Sequence, residues 1–221
     1  MDKMIFTMLN SMKNVQNKQS NNAHEIANVV TPGFKKSYSE QTQSLDVHIP
    51  GTFATRAMPV TNATNVVDMN PGALMVSGRA LDVYVNTSGA IAVQGPEGQE
   101  LYTRRGDLTI SADGQLMTGV GHLVMGDGGP ITVPGGSNIS ITNDGSVNMI
   151  PRGANAEVTV GRIKLVDTKD TEMLIREDGL YQVREGALPA SADITLTTKA
   201  LEGSNVTVVD SMVRMITLSR Q

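Results

Sequence analysis

Apolar residues recur with two different periods along this chain, and the change of period divides it. Near the N-terminus the spacing is three-four. Ile5, Met8, Met12, Val15, Gln19, Asn22, Ile26 and Val29 fall on the a and d positions of a heptad, the pattern of a helix wound against other helices. Gln19 and Asn22 are polar members of that seam, a choice that fixes register and partner at some cost in stability. A helix of about thirty residues is a rod roughly 45 Å long, at about 1.5 Å per residue. No segment of equal length and pattern exists elsewhere in the chain to cover it, so the helix is expected to meet other molecules.

The periodicity stops at Thr31-Pro32-Gly33. The residue before a proline is pushed out of the helical region, and glycine permits a sharp exit. Phe34 follows and is expected to fold back on the helix end. Residues 35 to 78 read as extended polar chain, punctuated by Pro50-Gly51, Met58-Pro59 and Asn70-Pro71-Gly72. A long polar connection is uncommon inside a compact domain and makes sense if it lies along a neighbouring subunit.

From Arg79 the period becomes two. Leu81, Val83 and Val85 alternate with Asp82, Tyr84 and Asn86, and short apolar runs follow at Ile91 to Val93, Leu101 to Arg104, Leu108 to Ile110, Leu116 to Thr118, Leu123 to Met125, Ile131 to Val133, Val158 to Val166 and Ile194 to Thr197. Such spacing predicts an all-β sandwich or barrel-like domain. Asp113-Gly114, Asp144-Gly145 and Asp178-Gly179 are hairpin signals. The stretch Leu108 to Thr118 resembles Ile139 to Met149 in pattern, as a duplicated hairpin would. Near the end, Thr207 and Asp210 have the spacing of a capping box, and Val209, Met212, Val213 and Ile216 form a stripe at helical spacing. The expected fold is mainly β with α-helical termini. It comprises a long helix and turn over 1–34, an extended polar connection over 35–78, an all-β domain over 79–200, and a shorter, coiled-coil-like helix over 201–221.

Composition narrows the function. Aromatic residues are 3% of the 221, and there is no Trp, so a core must come from Val, Ile, Leu and Met. A net charge of −4 argues against a nucleic-acid footprint, which is basic and clustered. The absence of Cys excludes disulfides and thiolate metal or redox sites. The N-terminus lacks the basic and apolar regions of a cleaved signal peptide, and no stretch approaches the ~20 apolar residues of a membrane span.

Candidate chemistry is thin. His24-Glu25-Ile26-Ala27-Asn28 approaches a zinc motif but has Asn28 where the second His belongs, and reads as polar residues on a helix face. The glycines from Gly119 to Gly129 neither open a helix nor precede a Lys-Ser/Thr pair, and read as turns. Arg104-Arg105 beside Asp107, and Asp167 to Asp170, read as solvated charge at strand ends. The three His (His24, His48, His122) share no local constellation with a nucleophile, and no G-x-S-x-G elbow is present. Methionines on the terminal segments read as adaptable packing residues. No catalytic, metal-binding or cofactor-binding residue is expected, and no small-molecule substrate.

Three stretches carry a resemblance. Asn21-Asn22-Ala23-His24-Glu25-Ile26-Ala27-Asn28-Val29-Val30 leading into Thr31-Pro32-Gly33-Phe34-Lys35-Lys36 resembles the N-terminal signature of bacterial flagellar basal-body rod and hook proteins. Leu201-Glu202-Gly203-Ser204-Asn205-Val206 and the following helix resemble that family's C-terminal signature. Ser77 to Val83, Tyr102-Thr103-Arg104-Arg105-Gly106-Asp107-Leu108 and Gly126 to Ile131 are similar to its β-domain, the last most like the proximal rod member. Three departures stand out: Ala90-Ile91 replaces a usual aromatic pair, His24-Glu25 breaks the usual Asn-Leu wording, and Gln221 comes earlier than the family's usual end, through a short helix or a truncation. The hook protein's added outer domain has no room here, and the distal rod protein's insertion after the Gly-Phe turn is not seen.

The resemblance implies a structural subunit that polymerises helically with copies of itself and other rod proteins. Terminal helices would form an inner tube around an export channel, as part of a drive shaft in the periplasmic space. Their contacts would be Ile5, Met8, Met12, Val15, Gln19, Asn22, Ile26, Val29, Val209, Met212, Val213 and Ile216, with Thr31, Pro32, Gly33 and Phe34 as the structural turn. It also implies type III export without a cleaved signal. Two other readings stay open beside it: a distal rod sibling, and a β-rich surface- or carbohydrate-binding module with helical ends, against which the four Tyr and three Phe weigh.

Overall fold

The computed structural model describes residues 2–38, 41–47, 56–62, 65–134, 136–151, 156–184 and 186–220. Helix α1 (Asp2–Ala27) occupies the heptad segment as far as Ile26, with Val29 in the turn beyond it, and α2 (Val208–Leu218) the C-terminal stripe, with strands between them. At the end of α1 the Asn28 side chain donates to the carbonyl of His24, satisfying one of the carbonyls a helix terminus leaves open. The Thr207 side chain accepts from the Asp210 N–H at the start of α2, an N-cap worth about 1 kcal/mol.

A seven-stranded sheet forms the centre. Its order is Ser37–Tyr38, Val66–Val67, Met173–Ile175, Tyr181–Val183, Glu100–Thr103, Gly89–Gln94 and Leu165–Asp167, and every adjacent pair is antiparallel. The strand Gly89–Gln94 is buried on both faces. Ile91 and Val93 enter the larger core with Val83, Leu108, Leu116, Ile163 and Leu165. Ala90 and Ala92 enter a second core with Tyr102, Val166, Met173 and Tyr181. Burial on both faces explains the continuous apolar run Ala90-Ile91-Ala92-Val93 where a half-exposed strand would alternate.

One turn geometry recurs. In Ser111–Gln115, Thr142–Ser146 and Arg176–Leu180 the first residue's N–H donates to the last carbonyl, and the glycine N–H donates to the first carbonyl. The glycines Gly114, Gly145 and Gly179 have φ of 79°, 87° and 77°, the left-handed residue of a three-residue hairpin loop. Gly95–Gln99 and Thr118–His122 repeat the pattern without Asp. The two similar stretches noted in the sequence therefore fold alike, with Ile110 opposite Leu116 and Ile141 opposite Val147.

Other segments differ from expectation. The 35–78 stretch contains a hairpin, Gln41–Val47 against Arg56–Asn62, and short strands at Ser37–Tyr38, Val66–Val67 and Leu74–Val76. Pro50-Gly51 lies outside the described residues. The run Val158 to Val166 is two strands, because Lys164 donates to the carbonyl of Met125 and the chain there leaves a three-stranded sheet (Gly136–Ile141, Ser146–Pro151, Val158–Arg162) for the central one. Ile131 to Val133 contributes an isolated bridge in place of a strand.

Candidate functional site

The two chain ends meet at a buried carboxylate. Glu202 lies on the strand Ala200–Glu202. Its Oε1 accepts from Lys35 Nζ at 2.6 Å and the Gly72 N–H at 2.7 Å, and its Oε2 accepts from Arg104 Nε at 2.6 Å. The side chains of all three charged residues are fully buried. Arg104 spends its remaining nitrogens on the turn between two strands: Nη1 donates to the carbonyls of Thr87 and Gly89, and Nη2 to that of Val85. Thr87 adopts φ of 55°, a strained conformation for a β-branched residue, and its carbonyl faces the guanidinium.

The turn after α1 is clamped to the same cluster. The Gly33 N–H donates to the Glu202 carbonyl, and the Tyr181 hydroxyl donates to the Gly33 carbonyl. Gly33 has φ of 69°, and a Cβ there would stand 2.6 Å from the Arg104 carbonyl oxygen. Only glycine fits both the conformation and the space. Phe34 stacks edge-on against His24, 5.7 Å between centroids. Asn205 completes the join, accepting from the Lys36 N–H and donating to the Asp68 carbonyl.

Two cations share one anion here, and Lys35 bears the cost. Burial, then the Arg104 guanidinium, lower its pKa from 10.5 to about 8, against the pull of Glu202. Burial also raises Tyr102 to about 12 and pushes Tyr181 higher still.

Beyond this join the helices pack against each other with their polar sides. Asn22, only 3% exposed, donates from Nδ2 to the Ser211 carbonyl at 2.8 Å. Arg214 pairs with the buried Glu25 at 3.1 Å. Ser211 is completely buried, and among the described residues Asn22 Oδ1 and Ser211 Oγ find no hydrogen-bond partner. The apolar residues face outward: Met8, Met12, Val209, Met212, Val213 and Ile216 are all exposed, Val209 by 70% and Met12 by 71%. Gln19 is exposed, while Val15, Ile26 and Val29 are half-buried; the side chain of Ile5 lies outside those described. Thr31 and Pro32 are half-buried beside Gly33.

Known proteins match in the same places. The family model described as the flagellar hook protein FlgE/F/G D1 domain covers residues 84–149, and the one described as flagellar basal body rod FlgEFG protein C-terminal covers 197–221. A flagellar basal-body rod protein FlgF of Salmonella typhimurium strain LT2 is 38% identical over all of this chain and 90% of its own length. The FlgF of Escherichia coli strain K12 is 35% identical over the same shares. The chain belongs to the flagellar rod and hook protein family. A FlgG of Buchnera aphidicola subsp. Acyrthosiphon pisum is 30% identical over 90% of this chain and 83% of its own length, so the likeness is greatest to the FlgF members of the family.

Sequence reasoning placed one residue of this rod-family site wrongly. Arg104, read as solvated charge, is fully buried, because the Val85–Gly89 carbonyls and Glu202 supply its partners. Glu25, read as part of a polar helix face, lies on such a face, and that face is buried against Arg214. Glu202, Lys35 and Asn205 were not singled out as functional, although each lies inside or beside a signature stretch. His24 is exposed next to Phe34, His48 lies outside the described residues, and no group of three metal-ligating side chains occurs among the described residues.

Proposed function

We propose that this rod-family chain is a structural subunit of the proximal rod, polymerising helically with copies of itself and with other rod proteins. The observation that carries this is the outward apolar face of the helix pair. A helix packed on its own domain turns its apolar stripe inward; here the fully buried positions are Asn22, Glu25 and Ser211, while Met8, Met12, Val209, Met212, Val213 and Ile216 lie in water. Exposed apolar stripes of this kind mark contacts with other molecules.

Head-to-tail contacts that do not close make a helical filament, with the helices as inner tube and the β-domain outside. An isolated helix with a thin seam is marginal in water, so the distal part of α1 orders on assembly, and the cost of ordering comes out of the contact energy. Torque then passes through axial packing of the helices, and the clamp at Glu202 transmits it to the β-domain. In this reading the chain reaches the periplasmic rod without a cleaved signal and encloses the export channel. The distal-rod alternative draws on the FlgG likeness alone. The binding-module reading loses support from the burial of Tyr102 and Tyr181, which removes them as stacking platforms.

The test places Ile5→Asp and Met12→Asp in the seam. The β-domain is expected to stay folded while rod incorporation and motility disappear; normal assembly would sink the seam assignment. Hydrogen exchange on the free monomer is expected to be fast over residues 8–20 and slower near Asn22 and Glu25. Uniform protection along α1 would make it an ordinary intramolecular helix.

A further inference from the structure

Outside the helices, one run of three consecutive large apolar side chains is exposed among the described residues. It is the strand Leu74–Val76, with Leu74 47%, Met75 44% and Val76 81% exposed. Side chains alternate between the faces of a strand, so three in a row means that neither face is covered. Its ladder runs to Ala200–Glu202 alone among the described residues. The Gly203 N–H donates to Ala73 and the Ser77 N–H to Lys199. Residues 73 and 77 therefore turn toward the partner strand, and the backbone groups of Leu74 and Val76 turn away from it. The strand holds neither a charge nor a proline to blunt the edge. Covering such an edge with a helix is one of the ways native proteins protect it.

We infer that the Leu74–Val76 edge is the seat for the α2 apolar stripe of a second copy of this chain. This rests on the reading that the stripe is an intersubunit surface, and it names what the stripe meets. The lengths are comparable: the eight residues Val209 to Ile216 make about 12 Å of helix, and three strand residues span about 10 Å. The two surfaces cannot cover each other within one chain, since both are exposed at once while α2 is held to α1 through Ser211 and Arg214. They are also linked in sequence, because the strand that pairs with the edge leads directly into α2. Each copy then offers an edge on one surface and a stripe on another, a heterologous contact that leaves both ends of a stack open for the next subunit.

The experiment uses the native lack of cysteine. Full-length chains carrying Val76→Cys together with Val209→Cys, Met212→Cys, Val213→Cys or Ile216→Cys replace the wild type in cells, and isolated basal bodies are oxidised. At least one pair is expected to give covalent multimers that no single-cysteine chain gives. No multimer from any pair in basal bodies that contain the protein overturns the inference, as does crosslinking of Val76→Cys to Met8→Cys or Met12→Cys in place of the α2 positions. A second measurement covers poor incorporation of the cysteine chains. Val76→Asp and Met212→Asp are each expected to lower incorporation at least tenfold, with Val158→Asp, another exposed strand valine, within twofold of wild type. Normal incorporation of Val76→Asp with failure of Met212→Asp removes the edge alone; normal incorporation of both removes the underlying reading.

Discussion

The β-domain and the helix pair obey the same hydrophobic rule with opposite results. In the β-domain, Leu116, Val93 and Ile163 are sealed and the charged residues of the turns are wet. In the helix pair, Ser211 and Asn22 are sealed and Val209 and Met212 are wet. The difference teaches where the boundary of the folded unit lies. The β-domain closes its core within one chain, whereas the helix pair leaves its apolar stripe uncovered by its own chain; on the proposed reading, other chains of the rod cover it. Burying a large apolar side chain fully is worth about 1.5–3 kcal/mol. The four half-exposed residues of α2 therefore hold on the order of 3–6 kcal/mol per subunit that the monomer does not collect.

The sharpest way to break that contrast is at the carboxylate joining the two regions. Glu202→Leu leaves Lys35 and Arg104 buried without their anion, and should cost about 3–5 kcal/mol in denaturant unfolding of the monomer, with release of the turn after α1 seen as faster hydrogen exchange at Gly33. Leu116→Ala should cost about 2–5 kcal/mol by the same measurement, yet leave rod incorporation intact at temperatures where the β-domain stays folded.

Alkali should act in two opposite steps. Lys35 is harder to protonate folded (about 8) than unfolded (10.5), so its penalty is fully present below pH 8 and relieved as pH rises toward 10. Tyr102 and Tyr181 are harder to ionise folded than unfolded, so their contribution is lost above about pH 10. Stability against denaturant should rise between pH 8 and 10 and then fall; Lys35→Met should abolish the rise and keep the fall. The smallest effect belongs to the outward stripe. Met212→Asp should shift monomer stability by no more than about 0.5 kcal/mol while abolishing incorporation; a large shift would place Met212 in an intramolecular core.

Local chemistry was legible in the residues, and remote pairing was not. Asp113-Gly114, Asp144-Gly145 and Asp178-Gly179 announce their turns because a left-handed residue is a local demand. The Thr207 cap is visible for the same reason, since its partner Asp210 is three residues on. Arg104 carries no such mark. Its carboxylate is 98 residues away and that of Lys35 is 167 away, and periodicity reports nothing at that range. The stripe on α2 could be counted from its spacing, but spacing does not say which side of a helix meets its own chain. Strands in 35–78 were hidden by polar residues such as Gln41-Thr42-Gln43-Ser44, whose pairing owes little to apolar alternation.

The position of Glu202 along the chain has a consequence for timing. A polypeptide made from its N-terminus contains Lys35 and Arg104 long before it contains the residue that reconciles them, and hairpins such as Ser111–Gln115 close on neighbours already present. Until the strand carrying Glu202 arrives, two like charges resist sharing one dry site, and the turn after α1 lacks its bond to the Glu202 carbonyl. Arrival of that strand is thus the event that sets the geometry of the chain's beginning, and a product ended before it would carry a folded body with a loosely fastened arm.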